Sequence, residues 1–147
     1  MMRIIIDADK CAGCKNCSVA CMKGHLPEGV EFSLTDNRIE SRNTILLNGH
    51  KKYKPLFCRH CDKPKCVASC SSGAIVKDPG SGHIRYDPVK CSGCFMCVMN
   101  CPFGVLKPDR ATHTSVIRCD FCTEHGADPR CVKACVKSAI RLEEVGK

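Results

Sequence analysis

Cysteine is the residue type whose number and spacing could do chemistry in this chain. All sixteen cysteines of its 147 residues fall into four groups of four, with none left over. The first group is Cys11, Cys14, Cys17 and Cys21, and the second is Cys58, Cys61, Cys66 and Cys70. The third is Cys91, Cys94, Cys97 and Cys101, and the fourth is Cys119, Cys122, Cys131 and Cys135. Thiols at this density either pair as disulfides or, as thiolates, bind metal. The stretch MMRIIIDADKC holds only Ile4 to Ile6 as an apolar run, too short for the apolar part of an export signal, and it lacks a twin-arginine pair. The expected location is therefore the cytoplasm, where thiols stay reduced, and this favours metal ligation over a disulfide framework.

The spacing narrows the choice of metal. Groups one and three share C-x-x-C-x-x-C-x-x-x-C, each preceded by an aspartate at the same offset, Asp7 and Asp87. Groups two and four have a wider middle gap and similar tails, GAIVKD and SAIRLE, so the chain repeats in the order A-B-A-B. Three cysteines at i, i+3 and i+6 can curl a tight loop around one face of an iron–sulfur cube, with Gly13 and Gly93 relieving the close backbone approach. The fourth cysteine begins a helical turn that leads away from that cube, and it is better placed for a neighbouring cluster. Structural zinc takes four cysteines as two C-x-x-C pairs, which suits groups two and four but not the triple runs of groups one and three. A zinc-binding adaptor is the alternative that this leaves. His60 and His125 lie inside cysteine groups and could ligate iron as in Rieske centres. With sixteen cysteines available, an exposed or supporting role is expected for both.

The elements that must position these groups can be read around them. The segment 53–107 resembles a bacterial two-cluster ferredoxin: group two, a strand, a turn over Asp78 to Gly82, a second strand, group three and Pro102. In that family the fourth cysteine of each run ligates the other cluster. The resemblance implies that Cys70 joins Cys91, Cys94 and Cys97, and that Cys101 joins Cys58, Cys61 and Cys66. Group four followed in space by group one makes the same unit, with SAIRLEEV pairing with MRIIIDA as GAIVKD pairs with HIRYDP. Cys21 would then join Cys119, Cys122 and Cys131, and Cys135 would join Cys11, Cys14 and Cys17. The expected fold is α+β, with two bacterial-ferredoxin-like units related by pseudo-two-fold symmetry. The inner unit is 53–107, and the outer, discontinuous unit is 1–21 plus 119–147. Residues 22–52 form an inserted hairpin segment and 108–118 a connector that is strand-like near Ser115 to Arg118. Within this region Asn48-Gly49 predicts a hairpin over roughly Arg38 to Phe57, serving either as a docking surface or as a cover over the first cluster.

Over nearly its whole length the chain resembles the four-cluster iron–sulfur subunits of multi-subunit oxidoreductases. Examples are the electron-transfer subunits of dimethyl sulfoxide reductase, formate dehydrogenase and tungsten aldehyde oxidoreductase, and the small partner of nickel carbon monoxide dehydrogenase. The resemblance implies four [4Fe-4S] clusters, a catalytic tungsten, molybdenum or nickel partner, and a second partner such as a flavin subunit, a hydrogenase or a soluble ferredoxin. It implies no catalytic residue in this chain. A free-standing polyferredoxin is the other reading. Only Cys101 is followed by proline, and no tryptophan replaces a cysteine, so a [3Fe-4S] centre is not expected.

Composition agrees. The chain has no tryptophan and only seven Phe and Tyr residues, which limits its apolar core and leaves bound metal to supply much of the stability. The formal charge of +8 counts cysteine as neutral. Four clusters at about −2 each, thiolates included, would offset it. That leaves no basic surplus for nucleic acid, and no stretch approaches the roughly 20 apolar residues of a membrane span.

Overall fold

The computed structural model describes residues 1–146. Its elements run in two similar passes, the second with an additional 3-10 turn before its last helix. In the first pass strand β1 (Met2–Ile6) leads through a 3-10 turn (Ala8–Lys10) and the first cysteine loop into helix α1 (Asn16–Gly24). Strands β2 (Thr44–Leu47) and β3 (Tyr53–Leu56) follow, then α2 (Lys65–Ala68) and β4 (Ile75–Lys77). The second pass runs β5 (Ile84–Tyr86), a 3-10 turn (Pro88–Lys90), α3 (Met96–Met99), β6 (Lys107–Pro108), β7 (Val116–Ile117), a 3-10 turn (Thr123–His125), α4 (Arg130–Lys133) and β8 (Ile140–Glu144). The mixture of short strands and helices is the expected α+β class.

Four two-stranded antiparallel sheets result: β1 with β8, β2 with β3, β4 with β5, and β6 with β7. The β-branched run MRIII suits a half-buried strand. In it Ile4 faces Leu142 and Ile6 faces Ile140, so residues near the two ends of the chain pair. Sheet β4–β5 is the matching pair in the middle, with Ile75 opposite Tyr86 and Lys77 opposite Ile84. The match extends beyond the ladders, since Asp7 donates its amide to the Ala139 carbonyl (2.7 Å) and Asp87 donates to the Ala74 carbonyl (2.8 Å). The expected turn at Asp78 to Gly82 is present. Asp78 accepts from the Ser81 amide (2.8 Å) and hydroxyl (2.6 Å), and Gly82 takes φ +73°, a region that glycine enters without a Cβ penalty.

The hairpin of the first half is narrower than Arg38 to Phe57. Its ladder runs only from Thr44↔Leu56 to Leu47↔Tyr53, and residues 38–43 are irregular. The turn is also not a two-residue Asn-Gly turn. The Asn48 amide bonds to the Lys52 carbonyl (2.9 Å) across Gly49, His50 and Lys51, and it is Lys51 that takes positive φ (57°). The Asn48 side chain accepts from the amides of His50 and Lys52, which stabilises the longer loop. β3 pairs with the inserted segment rather than with any strand of 53–107. Likewise 108–118 is more than a connector, because β7 folds back on β6 as a second small hairpin.

Two small cores form. One holds Ile75, Ile84, Val105, Leu106 and Val116 with Cys58, Cys66 and Cys97. The other holds Ile4, Phe57, Phe121 and Ile140 with Cys17 and Cys131. Where they meet, His83 stacks on Phe121 with ring centres 4.0 Å apart, and His60 meets both rings edge-on. Cores of this size, built partly from cysteine, suit a small domain that bound metal stabilises.

Candidate metal centres

Each cysteine group folds the same way locally. Three cysteines of groups one and three lie on a tight loop, and the third of every group enters a helix: Cys17 in α1, Cys66 in α2, Cys97 in α3 and Cys131 in α4. The fourth then lies one helical turn further on. Gly13 and Gly93 both take φ +69°, and a Cβ on either would collide with protein rather than with open space. At Gly13 the obstacle is the Tyr53 ring and at Gly93 the Thr114 carbonyl oxygen, 2.9 Å away. The hairpins β2–β3 and β6–β7 thus cover the two loops in equivalent fashion. Pro64 and Pro129 precede α2 and α4, where a missing amide proton costs nothing.

These loops and helices enclose four cavities of nearly equal size, each lined by four cysteines. Cys11, Cys14, Cys17 and Cys135 line one of about 310 Å³. Cys21, Cys119, Cys122 and Cys131 line one of about 320 Å³. Cys58, Cys61, Cys66 and Cys101 line a third of about 310 Å³. Cys70, Cys91, Cys94 and Cys97 line a fourth of about 290 Å³. In every case three cysteines come from one group and the fourth from the partner group. All sixteen are free thiols. The cysteine donor set is four sulfurs per cavity, and apolar side chains such as Ile45, Phe57, Ile75 and Leu106 contribute to each lining, with His25, Arg42, Asn43 and Asp120 beside the Cys122 cavity and Lys15 and Lys137 beside the Cys14 cavity. Such all-sulfur cradles, with a fourth thiolate reaching in from the partner group, fit an iron–sulfur cube.

The cavities follow one another through shared elements. Helix α1 places Cys17 in the Cys14 cavity and Cys21 in the Cys122 cavity, and α4 packs beside it. Helices α2 and α3 pack together in the same way between the Cys61 and Cys94 cavities. The middle junction is Arg118, only 3 % exposed. It directly precedes Cys119, and its guanidinium donates to the Ile84 carbonyl (2.7 Å) and to Cys58 Sγ (3.7 Å). The spatial order is therefore Cys14, Cys122, Cys61, Cys94.

Hydrogen-bond donors reach several sulfurs. Backbone amides of Arg42, Phe121 and Ala139 point at Cys21 (3.4 Å), Cys119 (3.4 Å) and Cys135 (3.3 Å). Arg42 is held there because Asn43 is buried and bonded to Ser18 Oγ (2.6 Å) and the Cys17 carbonyl (3.3 Å). Burial pushes the thiols of Cys66 and Cys131 up to about 11 and about 12, so each must shed a proton on binding iron. Cys21 goes the other way. Its burial penalty is outweighed by hydrogen bonds from His25 and the Arg42 amide. His25 is pushed up to about 11, because bonds to Asp120 (3.1 Å), Cys122 and Cys21 overcome its own desolvation.

Neither histidine within the groups lines a cysteine cavity. His60 is not exposed but buried, and its Nδ1 accepts the Ile84 amide (2.9 Å). His125 is exposed and bonds to the Gly24 carbonyl (3.0 Å). Lys63 and Lys65 are exposed. The buried Arg118 is the residue that sequence reasoning missed. Its counterpart before the first cysteine of group two is Phe57, also 3 % exposed, so aligning the two B repeats would have flagged a charge at a core position. A separate cleft, lined by Arg42, Tyr86, Arg118 and Asp120 among others, contains no cysteine. Its arginines are engaged, Arg42 with Asp120 (2.7 Å) and Arg118 with Ile84.

Comparison with known proteins points the same way. Residues 50–145 match the family described as a 4Fe-4S dicluster domain. The chain is 32 % identical to the electron transport protein HydN of Escherichia coli K12, over 93 % of this chain and 85 % of that protein. It is 31 % identical to the thiosulfate reductase electron transfer subunit PhsB of Salmonella typhi, over 92 % of this chain and 72 % of that one. Among solved structures it resembles a chain of the active site complex BamBC of benzoyl coenzyme A reductase, with a TM-score of 0.51 and 26 % identity over 97 % of this chain and 79 % of that one. Among the described residues no helix is long and apolar enough to cross a membrane.

Proposed function

The chain belongs to the 4Fe-4S dicluster family, and from that premise we propose that it is the iron–sulfur electron-transfer subunit of an oxidoreductase complex, carrying four [4Fe-4S] clusters as a wire. The observation that carries this reading is the set of four near-equal cavities, each lined by four cysteine sulfurs. In it the inner unit is 53–107 and the outer unit 1–21 plus 119–147, related by a pseudo-two-fold axis. The matching of β1–β8 to β4–β5 supports this, as does the meeting of His60 and Phe121, which occupy equivalent places in the second and fourth groups.

When bound, a [4Fe-4S] cluster takes up or gives up one electron without making or breaking a bond. The chain's residues do the rest. The sixteen thiolates hold position, apolar side chains such as Ile45 and Phe103 keep water from the sulfurs, and the amides of Arg42, Phe121 and Ala139 offset negative charge. Arg118 places a buried cation where the second and fourth groups meet. The chain has no catalytic residue in this reading and works in the cytoplasm.

The catalytic partner is a tungsten or molybdenum enzyme of the aldehyde or formate type, or nickel carbon monoxide dehydrogenase. The second partner is a flavin subunit, a hydrogenase or a soluble ferredoxin. The names of two relatives, an electron transfer subunit of thiosulfate reductase and a chain of an active site complex, support membership of a larger assembly. The similarity to HydN, named only as an electron transport protein, favours the second reading of a free-standing polyferredoxin. Metal analysis of anaerobically purified native protein separates them. About 16 irons for this chain, with tungsten, molybdenum or nickel from a co-purifying subunit, is the expected result. Iron alone would favour the free carrier, and zinc with little iron would overturn both.

A further inference from the structure

The two ends of the proposed wire share a backbone and differ in chemistry. Cys14 and Cys94 are the two exposed cysteines of the sixteen, one in each terminal cavity. Their loops match in conformation: Gly13 and Gly93 share φ +69°, Lys15 has φ 61° and ψ 13°, and Phe95 has φ 56° and ψ 14°. Side chains at equivalent positions diverge. Lys15 stands where the other loop has Phe95, Asn16 where it has Met96, Val19 where it has Met99, and Lys137 where it has Ser72. Lys15 and Lys137 line the Cys14 cavity, while Phe95 and Ser72 line the Cys94 cavity.

Both lysines are exposed, and among the described residues neither forms an ion pair with a carboxylate. The lysines common to both ends cancel in the comparison, since Lys10 pairs with Asp7 (3.2 Å) and Lys90 with Asp87 (3.7 Å). The β2–β3 hairpin, whose Tyr53 covers Gly13, brings Lys51 and Lys52 to the same end, and Lys52 is partly offset by Asp9 at 3.9 Å. The Cys94 end exposes Val89 (91 %), Met99 (70 %) and Met96 (42 %), with Arg110 the exposed cation of its covering hairpin; the Cys14 end also exposes Val136 (74 %), but beside it stand the free Lys15 and Lys137.

A site of four thiolates and an oxidised cluster carries about −2 and repels an acidic protein. Free surface cations at its rim offset that repulsion and speed encounter. We propose that the Cys14 end is the exchange face of this protein, where a freely diffusing, acidic one-electron carrier protein docks against Lys15 and Lys137. The inference rests on the four-cluster reading and adds to it which end meets the mobile partner. Each encounter moves one electron between the carrier's redox centre and the Cys14 site. One is oxidised as the other is reduced, with no bond formed and no proton moved.

The test uses full-length, cluster-loaded protein and a reduced acidic bacterial ferredoxin as probe, with stopped-flow mixing under anaerobic conditions. The expected second-order rate constant falls at least tenfold between 50 mM and 500 mM salt. The double variant Lys15→Glu/Lys137→Glu lowers the low-salt rate at least tenfold and abolishes the salt dependence. The variant Met96→Gln/Met99→Gln leaves the rate unchanged. Iron content and photoreduction by deazaflavin establish that each variant is loaded. A loaded charge-reversal variant that reacts at the wild-type rate would overturn the docking proposal alone, as would a rate lost in the methionine variant instead. Wild-type protein that holds no reducible cluster would overturn the four-cluster reading and the proposal with it.

Discussion

Arg118 shows what a single residue does here. Its guanidinium lies 3.7 Å from Cys58 Sγ, is almost fully buried, and has no carboxylate partner among the described residues. A unit charge about 4 Å from a redox site, even at an effective dielectric of about 20, is worth up to ~4 kcal/mol. A cation favours the more negative, reduced state, so it raises the potential of the Cys61 site. Replacing it as Arg118→Met is expected to lower one midpoint, by at least the ~59 mV of a tenfold change in a one-electron couple. Arg118→Lys is expected to recover most of the difference. An EPR-monitored redox titration reads this directly. If all midpoints moved together, or none did, the local charge argument would be wrong. Nothing in the sequence marks Arg118 as buried when it is read alone, because Lys10 and Lys90 precede cysteines in the same way and are exposed.

At the scale of elements, the loops are shaped as much by what covers them as by their cysteines. Gly93 combines positive φ with the Thr114 carbonyl of the β6–β7 hairpin, whereas Gly104 has φ +59° and open space where a Cβ would go. Gly104→Ala should therefore cost only the left-handed backbone penalty, about 1–2 kcal/mol. Gly93→Ala adds a collision with backbone and should cost about 2–5 kcal/mol. Denaturant midpoints of the loaded variants measure the difference, and equal costs would mean that the hairpin yields freely. Much of this level was legible in the sequence. The cysteine repeat set the loops, the Asp78 to Gly82 cluster set a turn, and the matching tails paired β1 with β8. What was not legible depended on tertiary contacts. Asn48-Gly49 looked like a two-residue turn, but the Asn48 side chain satisfies two amides of a longer loop and passes the positive φ to Lys51. For His60 the sequence left an exposed and a supporting role open, and only the fold decides, burying the ring with its Nδ1 on the Ile84 amide.

At the scale of the whole molecule, the chain links four sulfur-lined cavities in succession through α1 and α4, Arg118, and α2 and α3, and leaves different side chains beside the first and the last. The order comes from helices that each give one cysteine to a first cavity and deliver the next to a second. That exchange is the central claim, and Cys21 tests it most directly. It lies in the first group, but it lines the cavity of Cys119, Cys122 and Cys131. Cys21→Ser, Cys122→Ser and Cys14→Ser would be prepared as full-length loaded protein and compared by EPR and Mössbauer spectroscopy. The expected result is that Cys21→Ser perturbs the same cluster as Cys122→Ser and leaves the cluster affected by Cys14→Ser unchanged. If Cys21→Ser instead perturbs the Cys14 cluster, each group binds its own cluster and the cavities are not linked by exchanged cysteines.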